Sequence, residues 1–293
     1  MASLVKSVLR HIIYFRLKRL PLSMAEAEYW ADKFKRWPAI FGERLYRKKV
    51  EVNPGVYIWA GLIDVIQRNL IVHAQWDPKI LRTLKMYLKP GATFLDIGAN
   101  IGYFTLIASS LVGRSGTVVA FEPSLRAIEL LSANLRLNQV QNVVIYSIAV
   151  GKESALGTFY QATPNNIGAS SLCQLASAVG IERVPVYRLD DLLEPMGFRP
   201  DVVKIDVEGF ELDVIRGMEV LLRRSRPVVL CEVTVEWIIN RGQDPNDMLK
   251  LMEDLGYSTF VIREGAEITF ERLKEISSTA TDFKEEILFR CDT

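Results

Sequence analysis

The sequence predicts an α/β fold, a mostly parallel sheet of seven strands with helices on both faces. Two observations predict it. From residue 77 onward, short apolar segments alternate with amphipathic segments of about 10–15 residues, which is the pattern of strands joined by crossover helices. A glycine-rich turn follows the first of those strands, at residues 98–102. Ligands of such sheets bind at the carboxyl ends of the strands, so we expect the functional site there.

The elements follow one another in order along the chain. A helix is predicted at 77–88, because Pro78 suits the first helical position and Lys89-Pro90-Gly91 ends it. Short apolar runs predict strands at 93–97, 117–121, 143–147, 201–206, 227–233, 257–262 and 286–290. Apolar residues at helical spacing predict helices at 101–112, 126–137, 210–223 and 245–255. A less regular insertion is expected at about 151–190. We therefore predict an accessory region at 1–75 and a ligand-binding domain at 76–293.

Residues 1–20 predict a basic amphipathic helix, with five Lys/Arg, no Asp/Glu and apolar residues at helical spacing. Charges interrupt its apolar residues, and no segment of the sequence reaches the roughly 20 apolar residues that span a bilayer. A helix of this kind binds the surface of an anionic membrane, packs on its own domain or self-associates into a homo-oligomer. The sequence leaves these three alternatives open.

Charge and cysteine content argue against two classes of protein. Residues 1–50 carry 12 Lys/Arg against 4 Asp/Glu, whereas the rest of the chain carries 24 against 31. An acidic body argues against a nucleic-acid-binding protein, whose groove needs basic side chains. The three cysteines are scattered and form no CxxC pair, so neither a disulfide framework nor a zinc site is predicted. This usage is typical of a reducing compartment and predicts a cytoplasmic protein, peripheral on the inner face of the membrane if the basic helix binds lipid.

The turn after the first strand predicts a nucleoside site. Gly98 and Gly102 let the chain turn sharply and let a ligand approach the backbone. Asp96 ends the strand, and its carboxylate would repel a dinucleotide pyrophosphate but attract an ammonium or sulfonium group. Glu122 ends the second strand, 26 residues after Asp96, where a carboxylate can accept hydrogen bonds from both ribose hydroxyls. Helix capping by the segment Glu122-Pro123-Ser124 is the alternative.

Four segments together resemble the FkbM family of methyltransferases. They are Asp96-Ile97-Gly98-Ala99-Asn100-Ile101-Gly102, Phe121-Glu122-Pro123, Asn134-Leu135-Arg136-Leu137-Asn138 and Lys204-Ile205-Asp206-Val207-Glu208-Gly209-Phe210-Glu211. The resemblance implies a class I, Rossmann-like methyltransferase fold with a reversed last strand. It also implies an S-adenosylmethionine-dependent O-methyltransferase of sugars, glycolipids or secondary metabolites.

The resemblance also implies positions for the cofactor S-adenosylmethionine. The residues implied to line its site are Asp96, Gly98, Asn100, Gly102 and Glu122. Ser147 and Ile148, at the end of the third strand, would flank the adenine, and Trp76 would lie over the cofactor as part of a lid.

The fourth and fifth strand ends hold the candidates for catalysis. A hydroxyl group must lose its proton to attack a methyl group, so a carboxylate or histidine is needed as a base. Asp206 and Glu208 follow the fourth strand, and Lys204 shares the strand face of Asp206. Capping of the helix at 210 is the alternative for both acids. They could also hold a divalent metal, but no histidine supports the cluster, and we predict no metal. His73 is a weaker candidate for the base.

The acceptor is expected to be a small molecule or glycan that carries a hydroxyl group. Ser170 and Ser171 belong to a polar loop in the insertion that suits hydroxyl-rich acceptors, and Glu232 ends the fifth strand beside it. A solvated turn would explain the same loop. A nucleoside-binding subunit without turnover is a second hypothesis, but the residues of the catalytic cluster argue against it. A nicotinamide-dependent oxidoreductase is a third, but Asp96 argues against it.

Overall fold

A computed structural model describes residues 21–36, 47–263, 266–269 and 284–291. The described strands are, in chain order, β1 (Lys48–Asn53), β2 (Val56–Ala60), β3 (Thr93–Ile97), β4 (Thr117–Phe121), β5 (Val143–Tyr146), β6 (Ala149–Val150), β7 (Ala155–Gln161), β8 (Gly180–Tyr187), β9 (Val202–Ile205), β10 (Val228–Thr234), β11 (Ser258–Arg263), β12 (Ala266–Thr269) and β13 (Lys284–Arg290). The described α-helices are α1 (Met24–Arg36), α2 (Val65–His73), α3 (Pro78–Tyr87), α4 (Tyr103–Val112), α5 (Leu125–Leu137), α6 (Leu189–Leu193), α7 (Glu211–Arg216), α8 (Glu219–Ser225), α9 (Val235–Asn240) and α10 (Pro245–Asp254). The predicted basic helix at 1–20 lies outside the described residues.

The central sheet has the strand order β12-β11-β13-β10-β9-β3-β4-β5. Strands β10, β9, β3, β4 and β5 are parallel, and β13 is antiparallel to both of its neighbours. This confirms the predicted seven-stranded sheet with a reversed last strand. The short strand β12 adds an eighth at the edge, paired with β11.

The core lies on both faces of this sheet, as expected for parallel strands buried on both sides. Phe94 packs into one apolar cluster and its neighbour Leu95 into another, because successive side chains of a strand point to opposite faces. The first cluster includes residues from α2, α3, α4 and the hairpin β1–β2, and the second includes residues from α7, α8 and α10. Helices therefore cover both faces and leave the carboxyl ends of the strands to the loops.

The hairpin β1–β2 belongs to the predicted accessory region and is attached to helix α5 by two asparagines. Asn134 Oδ1 accepts from the Trp59 N–H at 2.9 Å, and Asn138 Oδ1 accepts from the Tyr57 N–H at 2.8 Å. Asn134 also donates to the carbonyl of Ile101 at 2.9 Å, in the glycine-rich turn. These asparagines are one helical turn apart, so both face the hairpin.

The insertion is more regular than the sequence suggests. Strands β7 and β8 form an antiparallel hairpin, and β6 pairs with β8. The expectation of a less regular insertion was wrong because Ile181 and Tyr187 lie exposed on the outer face of β8. Apolar residues on both faces remove the alternation that identifies a half-buried strand.

The helix predicted at 210–223 is divided at Gly217 into α7 and α8. A side chain at Gly217 would meet the carbonyl oxygen of Gly151 at 2.1 Å, so the chain passes too close there for any other residue. Asp190 then caps the second helix by accepting from the N–H groups of Val220 and Leu221. These long-range contacts have no signal in the local sequence.

Candidate active site

Asp96 and Lys204 are register partners on the neighbouring strands β3 and β9. Asp96 is 1% exposed, and its Oδ2 accepts from the Thr105 hydroxyl at 2.6 Å. The ammonium of Lys204 lies 4.0 Å from Asp96 Oδ1 and 3.0 Å from Asp206 Oδ2. Burial alone would lower the pKa of Lys204, but the two carboxylates raise it above its usual value. A buried, charged lysine therefore links the first and fourth strand ends.

The glycine-rich turn lies against the residue after β9. A side chain at Gly98 would meet the Asp206 carbonyl oxygen at 1.8 Å, and one at Gly102 would meet Leu131 Cδ1 at 2.3 Å. Both glycines have positive φ angles, 84° and 86°. Asn100 is also left-handed, with φ 49°, a conformation that asparagine tolerates better than most residues. The sequence therefore places glycine where the backbone and its neighbours leave no alternative.

Glu122 lies at the end of β4 and is 7% exposed. Its Oε2 accepts from the Asn100 N–H and its Oε1 from the Ser124 N–H, both at 2.8 Å. Burial raises the pKa of this carboxyl to about 7, although both hydrogen bonds lower it. The predicted ribose acceptor thus joins the glycine-rich turn to the start of α5, while Ser124, rather than Glu122, caps that helix through the Ala127 N–H.

A pocket opens between these strand ends and the insertion. Its lining includes eight residues from the two motifs, the insertion and the third strand end, namely Gly98, Asn100, Glu122, Ile148, Gly168, Ser170, Asp206 and Phe210. Ser147, predicted beside Ile148, is exposed and does not line the pocket. Trp76 also lies outside the lining, and its N–H donates to the Tyr103 hydroxyl at 3.2 Å.

The pocket suits a cationic nucleoside on two observations of the structure. The buried atoms Asp96 Oδ1 and Asn100 Oδ1 have no hydrogen-bond partner among the described residues. Such atoms are costly to bury unless a ligand or water satisfies them. Gly98 of the adjacent turn also lines the pocket, where the lack of a side chain leaves its backbone open to a ligand. The residues present therefore fit S-adenosylmethionine, which brings hydroxyl and ammonium donors and a positive charge.

A cluster of carboxylates lies beside the pocket, near the ends of β9 and β10. Oxygens of Asp206, Glu208 and Glu232 lie within 4.8 Å of one another, and the same holds for Asp77, Glu232 and Glu286. Glu232 and Glu286 are register partners on β10 and β13. Burial and the neighbouring acids raise the pKa of Glu286 well above its usual range. The structure thus brings the three predicted acids together.

Asp77 and Glu286 were not predicted as site residues. The sequence shows Asp77 only as a helix start, a position it does occupy by accepting from the N–H groups of Lys79 and Ile80. Glu286 lies far along the chain, and the pairing of β13 with β10 depends on a topology that local patterns cannot define. Thr105, the partner of Asp96, was missed for the same kind of reason.

Both serines of the predicted acceptor loop line the pocket, but their hydroxyl groups have different partners. Ser170 lines the pocket, and its hydroxyl donates to the Ile167 carbonyl at 2.8 Å. Ser171 is 1% exposed, and its hydroxyl lies 2.8 Å from the Glu208 carbonyl oxygen. His73 is exposed at the end of α2 and does not line the pocket.

The geometry is that of a class I methyltransferase, and comparisons with known proteins agree. The model of the methyltransferase FkbM domain matches residues 96–259. The hexuronic acid methyltransferase AglP of Haloferax volcanii is 30% identical over 188 residues, 64% of this chain and 72% of that protein. Methyltransferase 1 of Beauveria bassiana is 31% identical over 150 residues, 44% of this chain, and the match spans only 60% of that protein.

Among solved structures, the FkbM methyltransferase of Methylobacillus flagellatus KT is similar, with 14% identity and a TM-score of 0.43. That match covers 76% of this chain and 59% of the other. The match to the family model spans more than half of the sequence. The chain therefore belongs to the FkbM family, and with it to the S-adenosylmethionine-dependent methyltransferases.

Proposed function

We propose that this chain transfers the methyl group of S-adenosylmethionine to a hydroxyl group of a sugar, in a free saccharide, a glycolipid or a glycosylated metabolite. The observation that supports this most directly is Asp206. Asp206 lines the pocket, and its carboxylate accepts from the Lys204 ammonium at 3.0 Å. Its backbone carbonyl lies against Gly98 of the glycine-rich turn. A base is thereby available beside the cofactor pocket.

We assign cofactor binding to the turn and the two strand ends that flank it. Asp96 and Asn100 would satisfy their unpartnered oxygens with donors of the ligand, and Glu122 would accept from the ribose hydroxyls. Ile148 lines the pocket where adenine is expected, whereas the exposed position of Ser147 offers less support for its predicted role. Trp76 would contribute by supporting the segment before α3, rather than by direct contact.

S-adenosylmethionine supplies an electrophilic methyl group on a sulfonium centre. The protein's part is to orient the acceptor oxygen and to take its proton. We assign proton acceptance to the Asp206 carboxylate, which is oriented by its ion pair with the Lys204 ammonium at 3.0 Å. Glu208 and Glu232 lie close enough to Asp206 to receive the proton in turn or to orient the acceptor.

The sugar class of acceptor is supported by one relative and by the polar side chains of the site. AglP of Haloferax volcanii is named for methylation of a hexuronic acid. In this chain Ser170 lines the pocket, and the acids Glu208 and Glu232 can accept hydrogen bonds from several hydroxyls of one sugar ring.

A direct assay tests the acceptor class. Purified protein would be incubated with S-adenosylmethionine and D-glucuronic acid, D-glucose or methyl α-D-glucopyranoside, and each product examined by mass spectrometry. We expect one added methyl group on at least one sugar, and its loss in Asp206→Asn. Tight binding of S-adenosylhomocysteine without methylation of any sugar would refute the sugar class and leave cofactor binding intact.

We also propose that the basic segment at residues 1–20 brings the enzyme to an anionic membrane surface. The support is its sequence alone, five cations without an acid among regularly spaced apolar residues. Among the described helices, none is both long and apolar enough to cross a bilayer. Self-association through the same segment is the competing proposal.

A further inference from the structure

The residues Val207–Gly209 form a tight turn directly after Asp206, here called the catalytic turn. Glu208 has φ 54° and Gly209 has φ 95°, so two successive residues are left-handed. For a residue with a side chain this costs about 1–2 kcal/mol, so the surrounding structure must hold it. A side chain at Gly209 would meet Trp237 Cβ at 2.8 Å and the sulfur of Cys173 at 3.1 Å. The turn is therefore enclosed on its outer side.

Ser171 holds the turn from the side of the insertion. Its hydroxyl oxygen lies 2.8 Å from the Glu208 carbonyl oxygen and 3.3 Å from that of Val207. The same oxygen accepts from the Cys173 N–H at 3.0 Å. Ser171 also lines the pocket, but at 1% exposure its hydroxyl is engaged by these contacts with the turn and with Cys173.

Glu211 and Arg241 hold the two polar groups of Gly209. Glu211 Oε1 accepts from the Gly209 N–H at 2.9 Å, and Arg241 Nη1 donates to the Gly209 carbonyl at 3.0 Å. Arg241 is itself fixed, because its other nitrogen pairs with Asp213 at 2.7 Å and its guanidinium lies 4.0 Å from the ring centroid of Phe210. Glu211 is 1% exposed.

We propose that Ser171, Glu211 and Arg241 are positioning residues that hold the catalytic turn in its left-handed form and so fix Asp206 at the pocket and Glu208 beside it. This proposal rests on the proposed function, because it concerns the groups assigned to proton transfer. Ser171 also joins the turn to the acceptor loop, so the loop and the catalytic carboxylates are held in one arrangement. Misplacement of reacting groups by about 1 Å can cost ~10²-fold in rate.

Ser171→Ala tests the insertion side of this arrangement, with Ser109→Ala as the matched control. Ser109 is also a buried serine, and its hydroxyl bonds to Asn142 at 2.6 Å, far from the strand ends that form the pocket. With the sugar that the wild type methylates best, we expect Ser171→Ala to lower kcat about 10- to 100-fold, with KM for S-adenosylmethionine changed less than about threefold. Ser109→Ala should keep its kcat even if its melting temperature falls as much.

Glu211→Gln and Glu211→Ala test the second contact by rescue. Glutamine keeps an oxygen for the Gly209 N–H, so we expect most of kcat to survive in Glu211→Gln and to be lost in Glu211→Ala. Hydrogen exchange at residues 206–211 supplies a readout that needs no acceptor. It should be faster in Ser171→Ala and Glu211→Ala than in the wild type and Ser109→Ala, while affinity for S-adenosylhomocysteine stays within about threefold.

Unchanged kcat in Ser171→Ala, or unchanged exchange of the turn in both variants, would overturn the proposal. If the wild type methylates none of the three sugars, the acceptor class has failed. The exchange and affinity measurements then decide the positioning proposal by themselves.

Discussion

At the scale of single residues, the site keeps acidic groups in places where their charge is costly. Glu122 is almost fully buried, and burial raises its pKa to about 7. Burial of this carboxylate therefore destabilises the free protein, and hydrogen bonds from the ribose hydroxyls of a cofactor can offset the loss. Replacement of Glu122 by alanine should therefore relieve a loss of stability at high pH but weaken the binding of S-adenosylmethionine.

The pH dependence of stability tests this first. The folded pKa of Glu122 lies above the ordinary 4.5, so its contribution to stability is present below pH 4.5 and is lost as pH rises through about 7. A difference of roughly 2.5 units corresponds to about 3 kcal/mol. Between pH 4.5 and 8, the free energy of unfolding of the wild type should thus fall by up to that amount more than that of Glu122→Ala. Parallel urea-denaturation profiles for the two proteins would contradict the shift.

The same variant should bind S-adenosylmethionine more weakly. Loss of a charged acceptor costs on the order of 1.5–3 kcal/mol, or about 10- to 150-fold in affinity. Calorimetry at pH 8 measures this, and unchanged affinity would remove Glu122 from the ribose role.

The substitution Asp206→Asn tests the assignment of Asp206 as the proton acceptor. The change leaves the shape of the side chain nearly intact but removes a proton acceptor, so we expect turnover to fall by ~10²–10⁴ and cofactor affinity to change little. Steady-state kinetics and calorimetry together give both numbers. Normal turnover would move the base to Glu208 or Glu232. Activity lost to EDTA and restored by magnesium would instead favour a metal held by these acids.

Some residues of the candidate site could be located from the sequence, and others could not. The places of Asp96, Gly98 and Glu122 at one edge of the sheet could be predicted, because each directly follows or ends a strand and parallel strands bring their ends together. Those of Glu286 and Thr105 could not, because they depend on strand pairing and helix packing. Ser171 was predicted for the acceptor loop from its composition, but only the fold shows that its hydroxyl faces the catalytic turn.

At the scale of elements, helix α2 and the acceptor loop depend on one buried side chain. Asp64 caps α2 by accepting from the Gln67 N–H at 3.0 Å. Its second oxygen accepts from the Ile167 N–H at 3.1 Å, and the Val65 N–H donates to the Asn165 carbonyl at 2.9 Å. Asp64, from the predicted accessory region, therefore anchors a loop that lines the pocket.

Asp64→Ala should accordingly lower the free energy of unfolding by more than the loss of an ordinary helix cap does. We expect a loss of about 2–3 kcal/mol of stability, since the cap is worth ~1 kcal/mol and the buried Ile167 N–H also loses its acceptor. Asp244→Ala is the matched control, because Asp244 caps α10 through the Asn246 N–H but is exposed. Within the described part of the chain, its side chain bonds to Asn246 alone. Its cost should be about 0.5–1 kcal/mol. Equal losses in chemical denaturation would show that the Ile167 contact contributes nothing.

Seven of the eight strands described in the central sheet could be predicted within a residue or two, because each contains a short apolar run. Strand β12 was not predicted. The insertion and the division between α7 and α8 could not be predicted either. Exposed apolar residues of β8 hide the alternation of its strand, whereas the division depends on the close contact of Gly217 with Gly151, which is distant in the sequence. Local patterns carry the periodicity of an element but not the position of its neighbours.

At the scale of the whole molecule, charge is divided along the chain. The first 50 residues carry 12 Lys/Arg against 4 Asp/Glu, and the rest carries 24 against 31. The acidic part includes the carboxylates around the pocket. A positively charged cofactor is attracted to such a site, whereas an anionic membrane surface would repel this acidic part of the protein. The basic residues at 1–20 are therefore the part of the chain best suited to meet an anionic membrane.

Vesicle sedimentation of the full chain and of a version lacking residues 1–20 tests this proposal. Each of the five cations near an anionic surface contributes at most ~1 kcal/mol, and the apolar residues add burial in the lipid interface. Neither contribution is large, so we expect reversible binding of the full chain that weakens as salt screens the charges, and none of the shortened chain. Methylation of a soluble sugar should be equal in both, which controls for folding. Equal recovery of both proteins in the supernatant, at low salt and with anionic lipid, would refute membrane binding, and light scattering on the same pair would then show whether the segment drives self-association instead.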